Sequence, residues 1–397
     1  MRFLYNLNVC PNQLPIKKAA FIGNEKAKKW VVGRKNIFAE LRNAIGKDDK
    51  IIWIHCASLG EFEQGRPLIE TLKKRYKEYK ILLTFFSPSG YEIRKEYEFA
   101  DYIYYLPMDT PGNARKFIRL THPRIVFFIK YEFWFNYINE LSVRKIPLFM
   151  VSTIFRSSQH FFKYWGAWFK KQLRKVTFLF VQDEESLELL ENIKIYHADM
   201  IGDTRFDRVI ALSEENKEFP VIEEFTGKEL LLIAGSTWPS DENKLVELFE
   251  RLKSPFKLII APHQTNKEHI DQLLKVFDKY KPVLYSMASN VDLKNNRVLI
   301  VDAIGYLSYL YRYADVTYIG GGFGAGIHNL LEAATYGKPV IFGPNHQKFK
   351  EAIDLKNEGG GYAISGTEDL ISSCELLLSD QQVRSESGAK AKSYVTS

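Results

Sequence analysis

The chain has 397 residues, of which 46% are apolar and 26% charged. This composition is typical of soluble globular proteins and excludes disordered and fibrous classes, and the length suits two domains with a core each. Residues 1–200 carry 33 Lys and Arg against 21 Asp and Glu, and the remainder carries 22 against 27. The basic half predicts an anionic partner, and an anionic membrane or lipid fits better than nucleic acid because no recognition module is present. A merely solvated basic face explains the charge equally well.

The cysteines and the N-terminal segment indicate where in the cell the protein is expected. Cys10, Cys56 and Cys374 are far apart and form neither a metal-ligand spacing nor a disulfide framework, which favours a reducing cytosol. No apolar run approaches the roughly 20 residues needed to cross a bilayer, and no signal-peptide core is present. Peripheral membrane attachment is predicted instead, because apolar residues precede a basic cluster at the N-terminus: Phe3, Leu4, Tyr5, Leu7 and Val9, then Lys26, Lys28, Lys29, Arg34 and Lys35.

Strand-length apolar runs alternate with helical segments, which predicts parallel sheets built from βαβ units. The predicted strands of the first half are Ile51–Ala57, Ile81–Phe86, Ile103–Leu106, Ile125–Ile129, Leu148–Ser152 and Phe178–Gln182. The helices between them include Glu61–Lys77, Pro111–Thr121 and Phe133–Leu141. The predicted strands of the second half are Leu230–Ala234, Leu258–Ala261, Val298–Val301, Val316–Ile319 and Val340–Phe342.

The charged segment Ser213–Phe225 separates the two series of strands and is predicted to be a linker. We therefore predict an α/β protein with two doubly wound, Rossmann-like domains at residues 1–212 and 213–397. Ligands of such folds bind at the carboxyl ends of the strands, so a cleft between the domains is the expected site.

The segment Ala57-Ser58-Leu59-Gly60-Glu61 ends the first predicted strand. Glu61 at the start of the following helix has two interpretations. It is either a general base that removes a proton from an attacking hydroxyl, or a first-turn carboxylate that interacts with the helix dipole, which is the commoner role. Glu63, two residues further on, is the obvious decoy.

Two further charged residues stand where predicted strands end. Glu132 follows the apolar strand Ile125–Ile129 among aromatic residues, which favours a raised pKa or a partner cation, although helix capping is the alternative. Arg205, in Gly202-Asp203-Thr204-Arg205-Phe206-Asp207, is placed at the end of the first domain to meet a phosphate.

The glycine-rich segment Gly320–Pro344 is the strongest pointer to a nucleotide. Glycines follow the strand Val316–Ile319, and a helix is predicted to open at His328-Asn329 with Glu332 in its first turns. Glycines allow backbone to approach a ligand, and a helix N-terminus attracts phosphate. Glu332 is a candidate to hold ribose hydroxyls. An ordinary tight turn is the alternative for a bare glycine run.

Other strand ends of the second half complete the predicted pocket. They are Gly235-Ser236-Thr237-Trp238, Ala261-Pro262-His263 and Asp302-Ala303-Ile304-Gly305-Tyr306. The eight histidines never pair with acids at metal-ligand spacing, so we expect no metal and no cofactor.

Taken in order, these motifs resemble the 3-deoxy-D-manno-octulosonic acid (Kdo) transferases of lipopolysaccharide synthesis. Ala57 to Glu61 is similar to the family's "AS-x-GE", and Glu132-Phe133-Trp134 with Asn136 to its "E-L-W-P-N". Tyr105 to Gly112 and Gly202 to Asp207 add to the likeness. The segment from His328 to Pro344 is similar to "GGHNPLEPAA-x-GKPV-x-FGP".

The resemblance implies a GT-B glycosyltransferase at the cytoplasmic face of the inner membrane. It would move Kdo from CMP-Kdo onto a lipid A precursor, lipid IVA, with inversion and without metal. The family's catalytic base corresponds to Glu61, and its transition-state-stabilising residues correspond to Glu132 and Arg205. Its CMP-contacting turns correspond to Pro262, His263, Ile304, Gly305, Tyr306, Asn329, Leu330, Leu331 and Glu332.

The chain departs from the family pattern at three motif positions, and the apolar N-terminal anchor of many members is here short and interrupted by prolines. An Arg that often precedes the His of Pro262-His263 is missing, Lys130 stands where a second Glu is common, and Phe135 replaces a Pro. Two alternatives to a Kdo transferase are kept. One is another GT-B-shaped enzyme such as a UDP-sugar epimerase, and the other is a non-catalytic peripheral lipid-binding protein.

Overall fold

The structure is a computed structural model that describes residues 2–9, 13–130 and 132–397. It contains two compact units, Met1–Arg208 and Val209–Ser397. Each unit is built around one sheet of seven strands.

All strand pairs of the first unit are parallel, and the sheet order is β3-β2-β1-β4-β5-β6-β7. The strands are β1 (Ile51–Cys56), β2 (Lys80–Phe85), β3 (Tyr102–Tyr105), β4 (Ile125–Ile129), β5 (Leu148–Thr153), β6 (Phe178–Val181) and β7 (Ala198–Met200). The helices are α1 (Arg2–Val9), α2 (Gln13–Phe21), α3 (Glu25–Val32), α4 (Ile37–Ala44), α5 (Leu59–Arg75), α6 (Pro88–Arg94), α7 (Pro111–Thr121), α8 (Phe135–Val143), α9 (Ala167–Leu173) and α10 (Glu184–Asn192).

Helix α11 (Thr204–Glu214) begins in the first unit and ends in the second. The second sheet is also parallel, in the order β10-β11-β9-β8-β12-β13-β14. Its strands are β8 (Leu231–Thr237), β9 (Lys257–Pro262), β10 (Val283–Leu284), β11 (Val298–Ile300), β12 (Val316–Ile319), β13 (Val340–Phe342) and β14 (Gly361–Ala363). The remaining helices are α12 (Pro220–Thr226), α13 (Pro239–Arg251), α14 (Lys267–Val276), α15 (Leu307–Leu310), α16 (Leu331–Ala334), α17 (Lys350–Glu358), α18 (Thr367–Ser379) and α19 (Gln381–Thr396).

Both faces of the first sheet are covered, as a doubly wound fold requires. Along β1, Ile51 and Trp53 belong to one buried cluster, whereas Ile52 and Ile54 belong to another. Successive side chains of a strand point to opposite faces, so a central strand covered on both sides is apolar throughout. All six residues of β1 are buried.

The predicted α/β class with parallel sheets is confirmed, and the eleven predicted strands are all present within one or two residues, apart from the longer C-terminal end of β8. The strands β7, β10 and β14 were not predicted. Each lies at the edge of its sheet and has only two or three residues. An edge strand buries little side chain, so its sequence lacks the apolar run that marks a central strand.

The segment Ser213–Phe225, predicted as a linker, contains the end of α11 and most of α12. Phe219, Ile222 and Phe225 recur every three residues and are buried. This spacing places them on one helix face, which packs into the second unit. The boundary at Arg208 falls inside a helix four residues before the predicted one, and the assignment of acceptor and donor roles to the domains stays a prediction.

The N-terminal helix divides its apolar residues between two sides. Phe3, Leu4 and Leu7 are exposed. Tyr5 instead packs against Phe135 and donates a hydrogen bond to Asp109, so it belongs to the body of the unit. The side chain of Val9 lies outside the described residues. Within the described ranges, no helix is both long enough and apolar enough to cross a bilayer.

Candidate active site

Glu61 lies in the first turn of α5, directly after β1. Ser58 and Glu61 form a capping box. The Oε2 atom of Glu61 accepts hydrogen bonds from the backbone N–H groups of Ala57 at 2.5 Å and Ser58 at 3.2 Å. These bonds satisfy donors at the helix start and hold the carboxylate in place. The capping role is therefore real, and it leaves Oε1 without a hydrogen bond to any described residue.

The environment of Glu61 favours its protonated form. Burial, followed by the negative charge of Glu132, raises the pKa of Glu61 to about 8. The backbone hydrogen bonds from Ala57 and the charge of Lys130 act in the opposite direction. A carboxyl group with a pKa near neutrality is suited to accept a proton during catalysis. The two interpretations of Glu61 are thus compatible, since one oxygen caps the helix and the other is available.

Glu132 follows β4, the strand beside β1, and its side chain is 15% exposed. Its Oε2 atom lies 3.7 Å from Nε2 of His55, which is completely buried in β1. The structure therefore brings Glu132 and Glu61 to the carboxyl edge of neighbouring strands. The negative charge of Glu132 disfavours the ionised form of Glu61.

His55 was not singled out from the sequence, although it anchors this edge of the sheet. Its Nδ1 atom lies 2.9 Å from Thr84 Oγ1 and 3.1 Å from the carbonyl oxygen of Thr84. The indole N–H of Trp134 donates to its Nε2 atom at 3.1 Å. An indole nitrogen only donates, so Nε2 accepts and the hydrogen of the neutral ring is on Nδ1. The sequence signal available for this contact was a histidine within the apolar strand β1 together with a Trp just after β4, the strand that pairs with β1.

Lys130 is held in an unusual backbone conformation between β4 and Glu132. Its φ angle is +68°, which is uncommon for a residue other than glycine. The hydroxyl of Thr153 donates to its carbonyl oxygen at 3.0 Å, and its own N–H donates to the carbonyl of Val151. Strained backbone held by neighbouring strands is frequent at functional sites. This residue places a positive charge near Glu61.

The predicted phosphate-binding residue, Arg205, pairs with its neighbour Asp203. Its guanidinium donates to Asp203 Oδ2 at 2.7 Å through Nε, and the backbone N–H of Arg205 donates to Oδ1 at 2.9 Å. Thr204 of the same turn hydrogen bonds Ser152 at the end of β5. The start of α11 is thereby attached to the carboxyl edge of the sheet.

Glu63, the nearby carboxylate that could be mistaken for the base, forms ion pairs with two arginines. Its Oε1 atom accepts from Arg94 at 2.7 Å, and its Oε2 atom lies 3.6 Å from Nε of Arg208. Two cations therefore surround Glu63. This contrast with the site of Glu61 makes Glu63 a natural control.

In the second unit, three rings cluster where β8, β9 and β12 end. The ring of His263 stacks on Trp238 with centroids 4.7 Å apart and on His328 at 4.5 Å. Trp238 donates its indole N–H to Nε2 of His328 at 3.1 Å. Burial lowers the pKa of both histidines, and His263 lowers that of His328 further. The cluster is a platform of flat rings.

Asp241 holds the backbone beside this platform in place through hydrogen bonds. It is fully buried in the first turn of α13. Its Oδ2 atom accepts from the backbone N–H groups of Trp238 and Gly321, both at 2.9 Å, and its Oδ1 atom accepts from the Tyr318 hydroxyl at 2.7 Å. One carboxylate thus joins the end of β8 to the glycine-rich turn after β12. Sequence reasoning missed this residue, which a Trp-Pro-x-Asp capping pattern would have indicated.

The glycine-rich turn differs from its prediction. A Cβ on Gly320 would meet the carbonyl oxygen of Ser236 at 2.4 Å, and one on Gly322 would meet the backbone of Gly343 at 2.6 Å. These glycines are needed because three strand ends pack backbone against backbone. The helix expected from His328-Asn329 begins at Leu331 and has four residues, so it offers little dipole to a phosphate.

The other predicted nucleotide contacts are distributed around this edge. Pro262 is buried and ends β9, whereas Ile304 is 79% exposed and Gly305 has a φ angle of +93°. The side chain of Asn329 donates to Glu332 at 3.0 Å and accepts from the N–H of Leu331. Leu330 and Leu331 are fully buried core residues, so any contact they make with a ligand is through backbone. Tyr306 is half-buried and packs against Phe219.

Among residues 2–9, 13–130 and 132–397, no group of three His, Cys, Asp or Glu side chains is arranged to hold a metal ion. The metal-independent reaction stays a prediction. The free thiols of Cys56 and Cys374 are buried in the two cores.

The fold of the chain is shared with solved structures. A solved structure, a putative UDP-N-acetylglucosamine 2-epimerase from Listeria monocytogenes, aligns with a TM-score of 0.61 over 87% of this chain and 92% of that one. At 14% identity this likeness shows the fold alone. With its two parallel α/β units, the chain has the GT-B type of fold.

The sequence comparisons find similarity to one enzyme family. Residues 32–208 match the family model described as 3-deoxy-D-manno-octulosonic-acid transferase (kdotransferase). The chain is 28% identical to the 3-deoxy-D-manno-octulosonic acid transferase of Aquifex aeolicus over 83% of this chain and 86% of that protein. It is 29% identical to the enzyme of the same name from Rickettsia felis over 83% and 72%. These matches confirm the predicted resemblance to the Kdo transferases and the predicted glycosyltransferase class.

Proposed function

We propose that this protein transfers Kdo from CMP-Kdo to a lipid A precursor, lipid IVA, in lipopolysaccharide biosynthesis, with inversion and without a metal. The observation that carries the proposal is Glu61, whose pKa is raised to about 8 at the carboxyl edge of the first sheet. The similarity to Kdo transferases supports the sugar that is transferred.

Glu61 is the general base in this proposal. Its carboxylate takes the proton from a glucosamine hydroxyl of the acceptor, and the hydroxyl oxygen forms a bond to the anomeric carbon of Kdo. The bond from that carbon to the CMP phosphate oxygen breaks, and CMP leaves with the electron pair. Attack opposite the leaving group inverts the anomeric configuration. The proposal requires an acceptor hydroxyl within hydrogen-bonding distance of Glu61.

Glu132 and Arg205 stabilise the transition state. The charge of Glu132 keeps the pKa of Glu61 high, which favours proton capture by Glu61. Arg205 offers a cation to the phosphate charge that builds up on the leaving CMP. Asp203 holds the guanidinium at 2.7 Å through Nε and orients it before substrate arrives.

The second unit holds the donor in this proposal. Trp238, His263 and His328 supply a platform of flat rings on which the cytosine ring can stack. Asn329 and Glu332, joined by a hydrogen bond of 3.0 Å, supply polar groups for the ribose. The remaining proposed contacts are Pro262, Ile304, Gly305, Tyr306, Leu330 and Leu331.

The proposed location is the cytoplasmic face of the inner membrane, with the N-terminal helices against an anionic surface. Phe21 and Ile22 at the end of α2 are 94% and 72% exposed. Lys17 and Lys18 lie in the same helix. Exposed apolar residues beside cations are typical of interfacial attachment.

The test is mass spectrometry of the products formed from CMP-Kdo and tetraacylated lipid IVA. We expect lipid IVA carrying Kdo, with equal yield in EDTA. Calorimetry with CMP and UDP supplies the second measurement. Binding of UDP in preference to CMP, with no Kdo product, would replace the proposal with the epimerase alternative, and binding of neither nucleotide would favour a non-catalytic lipid-binding protein.

A further inference from the structure

A cavity of about 160 Å³ lies in the first unit, where α1, α8 and the end of α9 meet. Three cations line it: Arg2 from α1, and Lys171 and Lys175 from α9 and the turn after it. The other lining groups are amide or aromatic side chains, and none is acidic. We call it the cationic cavity. None of the residues proposed for Kdo transfer lines it.

The positive charges of the cationic cavity are not neutralised within the described part of the chain. Lys175 donates to the neutral oxygens of Asn139 at 2.8 Å and Gln172 at 2.9 Å, and no ion pair involves Arg2, Lys171 or Lys175. Burial lowers the pKa of Lys175, and the charges of Arg2 and Lys171 lower it further. Three cations at one cavity leave a positive charge that a bound anion would neutralise.

Asp109 interacts electrostatically with Arg2, but its carboxylate does not line the cavity and does not supply the missing anion. It is fully buried, and its two oxygens accept from the Tyr5 hydroxyl and from the backbone N–H groups of Asn136 and Tyr137. Its role is to hold the start of α8 and the middle of α1. The cations are therefore left to an external ligand.

The helix that contributes Arg2 also presents an apolar surface. Phe3, Leu4 and Leu7 of α1 are 73%, 54% and 52% exposed. The opposite side of this helix is fixed, because the side chain of Asn6 accepts a hydrogen bond from Asn136 at 2.8 Å. One rigidly held helix thus carries a cation at the cavity and apolar side chains beside it. A ligand with both a phosphate and hydrocarbon chains matches this combination, whereas a free anion uses only half of it.

We propose that the cationic cavity binds the phosphate monoester of an anionic lipid, with the lipid's hydrocarbon next to Phe3, Leu4 and Leu7. A guanidinium and two ammonium groups suit a dianionic phosphate, the first through paired hydrogen bonds and the others as point charges. The inference deepens the proposed function, because it names where a phosphorylated lipid is held. It does not depend on Glu61 or on CMP-Kdo.

The test is co-sedimentation of the full chain with phosphatidylcholine vesicles that contain phosphatidic acid, a phosphate monoester, or phosphatidylglycerol, a diester, at matched surface potential. Lys171→Gln and Lys175→Gln are compared with Lys170→Gln, which removes the same charge from the same helix outside the cavity. We expect tighter binding to the monoester vesicles, weakened roughly tenfold or more by either cavity variant and less than about twofold by the control. Inorganic phosphate alone is titrated by calorimetry as the lipid-free arm.

The outcomes separate the sources of the anion. Equal binding to monoester and diester vesicles, or equal losses in Lys171→Gln and Lys170→Gln, would overturn the proposal in favour of a general surface charge. Binding of inorganic phosphate as tight as that of phosphatidic acid vesicles would overturn the lipid part of it. Lys175 makes two internal hydrogen bonds, so Lys175→Gln could unfold the protein. In that case the test depends on Lys171→Gln, which breaks no such hydrogen bond. No turnover is measured, so a protein inactive with CMP-Kdo still gives an answer.

Discussion

Trp134 donates its indole N–H to Nε2 of the buried His55 at 3.1 Å, and the same nitrogen lies 3.7 Å from the carboxylate of Glu132. Because the indole occupies Nε2, this histidine presents an acceptor, and not a proton, toward Glu132. The negative charge of Glu132 is in turn one of the causes that raise the pKa of Glu61. The buried Trp134–His55 contact therefore lies beside the carboxylate that acts on the proposed base.

Trp134→Phe tests this relationship. The variant keeps an aromatic ring against Phe86 but removes the donor, so Nε2 of His55 loses the hydrogen bond from Trp134. We expect kcat to fall, and the free energy of unfolding to drop by about 1–2 kcal/mol because a buried acceptor loses its partner. Nitrogen-15 NMR of His55 is the specific measurement, since it reports which ring nitrogen carries hydrogen. Trp165→Phe, at an exposed ring, is the control, and an unchanged His55 spectrum in Trp134→Phe would refute the relationship.

The pH dependence of kcat/KM reports the state of Glu61. A general base works when deprotonated, so activity should rise with pH and level off above the raised pKa of about 8. Glu132→Gln removes a negative charge that raises this pKa and should move the acid limb to lower pH. Lys130→Gln removes a positive charge that lowers it and should move the limb to higher pH. Shifts in the same direction in both variants would contradict the assignment.

The glycine-rich turn makes a prediction about stability. Gly320→Ala forces a methyl group within 2.4 Å of the Ser236 carbonyl oxygen, so backbone must move. Overpacking of this kind costs about 1–3 kcal/mol of unfolding free energy. Gly324→Ala is the matched control in the same turn, because its nearest neighbour would lie at 3.6 Å. Urea denaturation measures both, and equal losses would show that the packing of three strand ends is not the constraint.

The sequence predicted the central strands of each sheet better than the edge strands, and better than the contacts between residues that are distant in the chain. Strands such as Ile125–Ile129 are buried on both faces and therefore continuously apolar, so pattern alone finds them. The strand Ala198–Met200 pairs on one side only and leaves no such pattern. Glu61 was predicted as a candidate base, but its local sequence could not distinguish a cap from a base. That distinction depends on Glu132, which is 71 residues away in the chain and is brought near by the pairing of β1 with β4.

The glycine-rich turn shows the same limit. Its composition indicated a nucleotide, whereas the structure shows that Gly320 and Gly322 are required by neighbouring backbone. Asp241 and the stacked rings of Trp238, His263 and His328 come from separate elements, so no local motif reveals them together. Leu330 and Leu331 stay predicted contacts, and their buried side chains belong to the core.

The most direct test of the account is the turnover of Glu61→Gln with CMP-Kdo and lipid IVA, measured beside Glu63→Gln. Both variants remove one carboxylate from the same helix, and Glu63 is paired with Arg94 and Arg208. We expect kcat to fall by roughly 10²–10⁴-fold in Glu61→Gln, the usual loss when a general base is removed, and to stay within a few-fold of the parent in Glu63→Gln. Turnover of Glu61→Gln near that of the parent, in a protein that still folds, would contradict the central claim that Glu61 is the base.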